Sequence, residues 1–160
     1  MQIYQILSQY NEYQLQFRVL DSPPSPLYVL GNFPIKPMIA IVGTLSITNY
    51  GKQVAYDLAS DLARAGFPIV SGLAFGIDVI AHRAALDAGG LTVSVIDGGL
   101  DRIYPDNHRK IARRILATGG AHVQENTHGD PTLHTHFAEP QPTAPAHCST
   151  RIRWQNLDTR

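Results

Sequence analysis

Apolar residues follow two different spacings along the middle of the chain, and together they predict alternating strands and helices. Residues 38–42 form a continuous apolar run typical of a buried parallel strand, and residues 68–70 and 91–96 are similar. Between these runs, residues 49–65 and 77–88 repeat apolar side chains at helical spacing. Because strands that alternate with helices are joined by right-handed crossovers, the pattern predicts a parallel sheet.

The sequence that follows extends this pattern, whereas the two ends of the chain depart from it. Residues 106–116 predict a further helix and residues 121–125 a fourth strand. Tyr4, Ile6 and other apolar residues near the N-terminus could lie on a short helix. Prolines without a clear period mark the C-terminal end. We therefore predict an α/β fold with an N-terminal extension (1–35), a core with a mostly parallel sheet (36–126) and an irregular, mobile C-terminal tail (127–160).

Composition and charge limit the classes of protein. The chain of 160 residues has 13 basic and 13 acidic side chains, so contact with nucleic acid must come from a local basic patch. A single cysteine, Cys148, cannot form an internal disulfide and suggests a reducing compartment. We find no apolar run long enough for a membrane span and no signal peptide, so we expect a cytoplasmic protein without a membrane partner.

Glycine-rich turns follow two of the predicted strands. A helix that begins after such a turn presents unpaired amide groups, to which phosphate binds. The carboxyl ends of parallel strands share one edge of a sheet, so both turns could cradle one phosphate-bearing ligand. The alternative is that glycine only permits a tight turn, and the spacing is not the dinucleotide fingerprint, so NAD is not expected. The residues concerned are Gly43 and Thr44 in the first turn and Ser71, Gly72, Phe75 and Gly76 in the second.

The predicted helix over residues 106–116 has a basic face. Arg109 and Arg113 are four residues apart, as are Lys110 and Arg114, so the four side chains lie on two adjoining rows. Such a face contacts the sugar–phosphate backbone in nucleic-acid-binding proteins. The alternative is an ordinary solvated helix face.

Other catalytic and metal-binding patterns receive less support. Asp78 and His82 could form an acid–base pair, although a helix cap at Asp78 and a local hydrogen bond of His82 are the simpler interpretation. His134 and His136, with His128, His147 and Cys148, could chelate zinc, but their spacing is irregular. No P-loop, nucleophile elbow or His-Glu-x-x-His motif occurs. We therefore predict no catalytic residues, no metal and no cofactor.

Several motifs together resemble the DprA/Smf family of DNA-processing proteins. They include Ser-Gly-Leu-Ala-Phe-Gly-Ile-Asp at residues 71–78, Ala-His-Arg-Ala-Ala-Leu at 81–86 and Gly-Gly-Leu-Asp-Arg-Ile-Tyr-Pro at 98–105. The resemblance covers roughly residues 13–125. It implies a Rossmann-like, doubly wound fold and binding of single-stranded DNA, often as a homodimer. It also implies loading of the RecA recombinase during natural transformation, and the family is not known for a catalytic reaction.

The resemblance carries site residues over by position, with two departures. The family has arginine where this chain has Leu45 and Phe75, and neither side chain can clamp a phosphate. Phe75 could instead stack on a base. Asp78 matches the second loop, and the resemblance gives His82 and Asn107 structural roles. The nucleic-acid-binding residues that we predict are Gly43, Thr44, Ser71, Gly72, Phe75, Gly76, Arg109, Lys110, Arg113 and Phe137.

Beyond Phe137 the sequence leaves the family pattern. The aperiodic residues 138–160 suggest a frameshifted or decayed terminus that lacks the family's last buried strand. We expect a DprA-like protein of transformation and recombination that helps to load RecA, with DNA binding impaired by the loss of the two arginines. The alternative is a nucleotide-binding sensor or nucleotide-processing protein of the same superfamily, because the loss of both arginines suits a smaller nucleotide.

Overall fold

The computed structural model of the chain describes residues 2–7, 26–96, 99–100, 103, 105–124 and 150–154. Only the backbone of the last segment is described. Along the chain the elements are β1 (Ile3–Ile6), β2 (Leu27–Gly31), β3 (Ile39–Gly43), α1 (Asn49–Arg64), β4 (Ile69–Ser71), α2 (Ile77–Asp87), β5 (Thr92–Val95), a 3₁₀ turn (Asp106–His108) that leads into α3 (Arg109–Ala117), β6 (Ala121–Gln124) and β7 (Thr150–Trp154).

One mixed sheet joins all of these strands in the order β1-β2-β6-β5-β4-β3-β7. Four of its six pairings are parallel, and the antiparallel ones join β1 to β2 and β2 to β6. The neighbouring strands β3, β4, β5 and β6 are connected in sequence by α1, α2 and α3, and right-handed crossovers place these helices on one face. This architecture confirms the predicted α/β class with a mostly parallel sheet.

Alternate side chains of the strands divide the core between the two faces of the sheet. Ile41 and Ile69 belong to a cluster with the small, buried side chains of α1 and α2, including Ala59 and Ala84. Small residues at these positions let both helices lie close to the sheet and to each other. Side chains of the opposite face, such as Val70, are buried as well. The described part of the chain has no helix on that opposite face.

Local sequence explains where the helices begin and end. The Thr48 side chain accepts a hydrogen bond from the Gly51 amide at 3.0 Å, which makes Thr48 the N-cap of α1. Gly66 and Gly89 follow the last turns of α1 and α2 at φ +90° and +75°, a region that side chains with a Cβ avoid. Because both helices connect parallel strands, each runs back along the sheet. The loops that precede them lie at the carboxyl ends of the parallel strands, here called the carboxyl rim.

The N-terminal segment corrects one prediction. Ile3–Ile6, expected to lie on a short helix, forms β1, and Ile3 is opposite Leu30 in β2. β2 itself pairs with β6 on its other side, so without β1 it would leave an open edge. Pairing of this backbone outweighs a weak local preference for helix. The rest of the predicted helix lies outside the described residues, and a boundary at residue 35 stays a prediction.

The C-terminal segment corrects a second prediction. Thr150–Trp154, in the tail predicted to be irregular, forms β7 and pairs in parallel with β3, with Ile39 opposite Thr150. This pairing supplies hydrogen bonds along the edge of β3 that β4 does not cover. The alternation of arginine with apolar residues from Arg151 to Trp154 is a strand signal that the preceding prolines and histidines obscured. The frameshift itself stays a prediction.

Two further observations apply only to the described ranges. No helix there has the length and apolar character needed to cross a bilayer. No cluster of three or more His, Cys, Asp or Glu side chains suited to a metal ion occurs there either. The zinc ligands considered above, His134, His136 and Cys148, lie outside these ranges, as does Phe137.

Candidate functional site

The two glycine turns lie side by side at the carboxyl rim of the sheet. The amide of Ile77, at the start of α2, donates to the carbonyl of Thr44 in the first turn at 3.2 Å. Gly76 has φ +84°, and a Cβ at this position would collide with the Thr44 carbonyl oxygen. Glycine is therefore required where the turns meet. The sequence predicted this shared rim correctly, because both turns follow parallel strands.

The amide groups of these turns face a carboxylate that belongs to the protein. The Gly72 amide donates to Asp78 Oδ2 at 3.2 Å, and Asp78 is only 7% exposed. Burial raises the pKa of Asp78 to about 6, although the backbone amides of Ala74, Gly72 and Gly43 favour the ionised form. Gly43 belongs to the first turn and Gly72 to the second. The Asp78 carboxylate thus lies where the sequence predicted a bound phosphate.

The hydroxyl groups of the turns also have acceptors within the protein. Ser71 is fully buried, and its hydroxyl donates its single proton to the Ile41 carbonyl at 2.7 Å. The backbone amides, not this hydroxyl, are therefore the main donors to Asp78. Thr44 Oγ1 donates to the Ser46 carbonyl at 2.9 Å. The Gly72 amide and both hydroxyls therefore have acceptors within the protein, and contact of the turns with nucleic acid stays a prediction.

Phe75 connects the second turn to the basic helix. Its side chain is 47% exposed, and its ring centroid is 4.7 Å from that of His108, with an angle of 61° between the rings. His108 Nδ1 lies 2.8 Å from the Leu73 carbonyl, which can only accept, so the ring donates this hydrogen bond. Leu73 has φ 58°, an unfavourable value for a side chain with a Cβ. The bond from His108 therefore fixes both the strained turn and the orientation of Phe75.

The basic face of α3 adjoins this aromatic pair. Arg109, Lys110 and Arg113 are exposed, as the sequence predicted, while Ile115 is fully buried against the sheet. Arg109 pairs with Asp106 at 2.8 Å, an exposed contact of small energy that another anion can replace. In the part of the chain that the structure describes, neither Lys110 nor Arg113 pairs with a carboxylate.

Asp78 and His82 do not form the acid–base pair considered from the sequence. Thr92 Oγ1 donates its proton to the Ile69 carbonyl at 2.7 Å, so it must accept a hydrogen bond from His82 Nδ1, also at 2.7 Å. Burial lowers the pKa of the fully buried His82 to about 3, which keeps the ring neutral. The ring joins α2 to β5, in agreement with the structural role that the resemblance implied.

Sequence reasoning named most of these residues but missed the roles of two. The two predicted turns meet at one rim, the α3 residues are exposed and Phe137 is outside the described residues, and DNA contact by any of them stays a prediction. Asp78 was considered as a helix cap or acid, although an acidic residue directly after a glycine turn, between Ile77 and Ile80, indicates an internal acceptor. His108 lies three residues after the family motif at 98–105 and belongs to the resemblance, but its role had no chemical signal in the sequence because its acceptor lies on another loop.

Comparison with known proteins agrees with these features. The sequence profile of the DNA recombination-mediator protein A family matches residues 5–140. The chain is 39% identical to DNA processing protein DprA of Bacillus subtilis over 104 residues, which are 63% of this chain and 35% of that protein. It is 40% identical to Protein Smf of Synechocystis over 106 residues, 62% of this chain and 27% of that protein. The chain therefore spans about a third or less of these relatives.

Two solved structures share its architecture. DNA processing protein A from Helicobacter pylori, whose structure gave insights into a unique single-stranded DNA binding mode, has a TM-score of 0.78 and 30% identity. That comparison covers 99% of this chain and 72% of the other. The X-ray structure of DprA from Streptococcus pneumoniae has a TM-score of 0.81 and 28% identity, and it covers 95% of this chain and 54% of the other.

Proposed function

This chain belongs to the DNA recombination-mediator protein A family, and from that premise we propose that it binds single-stranded DNA at the carboxyl rim of its sheet. The surface consists of Phe75 and the outward side chains Arg109, Lys110 and Arg113. It binds without catalysing a reaction. The related H. pylori protein, for which single-stranded DNA binding is described, supports this proposal.

The contact between Phe75 and His108 is the observation that carries the proposal. It holds an exposed aromatic ring beside the first turn of a helix that carries several cations. Proteins that bind single strands combine these two features, because bases stack on the ring while cations follow the phosphates. Every base has a flat face, so such a surface binds without strong sequence preference.

The same geometry indicates weak binding. The resemblance implies that Leu45 and Phe75 stand where the family has arginine. The amide of Gly72, which could have bound a phosphate in their place, is already bonded to the Asp78 carboxylate. Affinity for a phosphate backbone depends mainly on the number of cationic contacts. The cations of α3 are therefore the main source of affinity, and base stacking on Phe75 supplies the rest.

A titration with single-stranded oligo-dT at two salt concentrations tests this function. Fluorescence anisotropy at about 50 mM and about 200 mM salt should show binding that weakens steeply as salt rises. Arg113→Ala should lower the slope of log K against log salt by about 0.7, the value for one phosphate contact on a single strand.

Arg64→Ala is the matched control for this titration. Arg64 is an exposed arginine at the end of α1, at the opposite rim, where it pairs with Asp61. Its loss should leave both the affinity and the salt slope unchanged. Absence of binding at the lower salt concentration, or equal effects of the two substitutions, would overturn the proposal.

We extend the proposal to the pathway that the resemblance implies. In it, a homodimer of the chain helps to load RecA onto single-stranded DNA in the cytoplasm during natural transformation. The test is the DNA-dependent ATPase activity of RecA on DNA coated with single-strand-binding protein. Addition of the chain should shorten the lag before activity appears, and Phe75→Ala should restore the lag. An unchanged lag would exclude the loading role while leaving the DNA titration interpretable.

A further inference from the structure

An open pocket of about 240 Å³ lies between α2 and α3, beside the proposed DNA surface. α2 contributes one apolar and one cationic residue, and the 3₁₀ turn with α3 contributes the others. The lining residues are Val79, Arg83, Asn107, His108, Lys110, Ile111 and Arg114. Three of them are cationic, namely Arg83, Lys110 and Arg114, and none is a carboxylate. The pocket therefore has a positively charged lining.

One of these cations is held in position by a network of three elements. Arg114 of α3 donates to Asp87 Oδ1 of α2 at 2.6 Å, and the hydroxyl of Tyr56 in α1 donates to Asp87 Oδ2 at 3.0 Å. The hydrogen bond from Arg114 lowers the pKa of Asp87, which keeps that carboxylate ionised. The guanidinium therefore does not have to be ordered when a ligand enters, and preorganisation of this kind favours binding.

The other two cations make no direct ion pair among the described residues. The Asp87 carboxylate attracts Arg83 from a distance but is already bonded to Arg114 and Tyr56, and Lys110 forms no ion pair with a carboxylate in that part of the chain. Both are exposed, and both line the pocket from opposite helices. Three cations around one cavity repel each other, the single Asp87 carboxylate offsets only part of this repulsion, and an anion in the cavity removes more of it.

From this arrangement we propose that the pocket binds a phosphomonoester, either a free nucleotide or the phosphorylated end of a DNA strand. Two or three cations around one cavity match a group that carries nearly two negative charges better than a phosphodiester, which carries one. Val79 and Ile111 add apolar contacts for the attached sugar or base. Sites for larger ligands occupy about 300–1,000 Å³, so this pocket suits a mononucleotide unit. The proposal does not depend on binding of the DNA backbone.

Isothermal titration with thymidine monophosphate, with thymidine as the phosphate-free control, tests the pocket directly. The monophosphate should bind and thymidine should not. Arg83→Gln should weaken binding about tenfold or more, because a charged hydrogen bond is lost. Arg83→Lys should restore part of it, whereas Arg64→Gln, on the opposite rim, should have no effect. Because Arg83 is exposed, circular dichroism should show an unchanged fold in both of its variants.

Oligo-dT with a 5′-phosphate, with a 3′-phosphate or with neither distinguishes the two sources of the ligand. Tighter binding of a phosphorylated strand that is lost in Arg83→Gln identifies a DNA end, and monophosphate binding without that preference identifies a free nucleotide. If neither probe shows an effect that depends on Arg83, the proposal is wrong. Binding of unphosphorylated oligo-dT should persist in Arg83→Gln, so this failure is distinguishable from failure of the DNA-binding proposal.

Discussion

At the scale of single residues, the decisive feature is a carboxylate in the place of a phosphate. Turns of this kind can bind a free anion, but here the amide of Gly72 has a permanent acceptor in Asp78. The side chains that remain available to a ligand are those that project outward, above all Phe75. Function at this rim therefore depends on exposed side chains more than on backbone amides.

Phe75→Ala tests the contribution of base stacking. We expect binding of oligo-dT to weaken by about 1–3 kcal/mol, the usual contribution of one stacked base, with little change in salt slope. Phe67, which is 40% exposed between α1 and β4 at the opposite rim, provides the matched control Phe67→Ala. Anisotropy titrations of both variants make the comparison, and equal losses would show that Phe75 has no special role.

At the scale of elements, the junction of the two turns requires close backbone contact. The amide of Ile77 reaches the Thr44 carbonyl only because Gly76 has no side chain between the turns. On the other side of the second turn, the His108 ring donates to Leu73. The turn is thereby fixed between the first turn and the start of α3, and the position of Phe75 is fixed with it.

Gly76→Ala should destabilise the protein more than Gly89→Ala does. Both glycines have positive φ, but a Cβ at Gly89 has nothing within 4 Å, whereas one at Gly76 collides with the first turn. Gly89→Ala should therefore show backbone strain alone, about 1 kcal/mol, and Gly76→Ala about 1–3 kcal/mol more. Urea denaturation measures both, and similar losses would contradict a tight junction.

At the scale of the whole molecule, buried titratable groups couple stability to pH in opposite directions. Burial lowers the pKa of His82 to about 3 and that of His122 to about 4, from 6.5. Below pH 6.5 these two histidines bind protons in the unfolded chain but not in the folded protein, so acid lowers the free energy of unfolding. Asp78, with its pKa raised from 3.8 to about 6, takes up a proton in the folded state first and therefore offsets part of this loss.

Asp78→Asn should make the acid destabilisation steeper. Between about pH 4.5 and about pH 5.5 the substitution removes most of one proton that the folded state binds and the unfolded state does not, so the free energy of unfolding should fall by about 1 kcal/mol more per pH unit. Urea denaturation across this range measures the slope, which does not depend on any change in baseline stability. Asp57→Asn, at an exposed carboxyl of α1, is the control. Equal slopes in Asp78→Asn and the parent would show that Asp78 does not titrate there.

The order of strands and helices in residues 38–124 and the shared rim of the two turns could be predicted from the sequence. Apolar spacing and glycine positions act locally. Thr48 begins α1 and Gly66 ends it, each through backbone groups that are close in sequence. The motifs of the second turn also identified the family. These features need no knowledge of distant contacts.

Only the tertiary structure decided which groups at the rim face inward. The acceptors of Ser71 and His108 are backbone carbonyls of other loops and strands, and a carbonyl has no signature in the sequence. The same holds for β1 and β7, whose formation depends on the open edges of β2 and β3. The pocket between Arg83 and Lys110 likewise exists only because α2 packs beside α3. Each of these depends on groups distant in sequence that folding brings within a few ångströms.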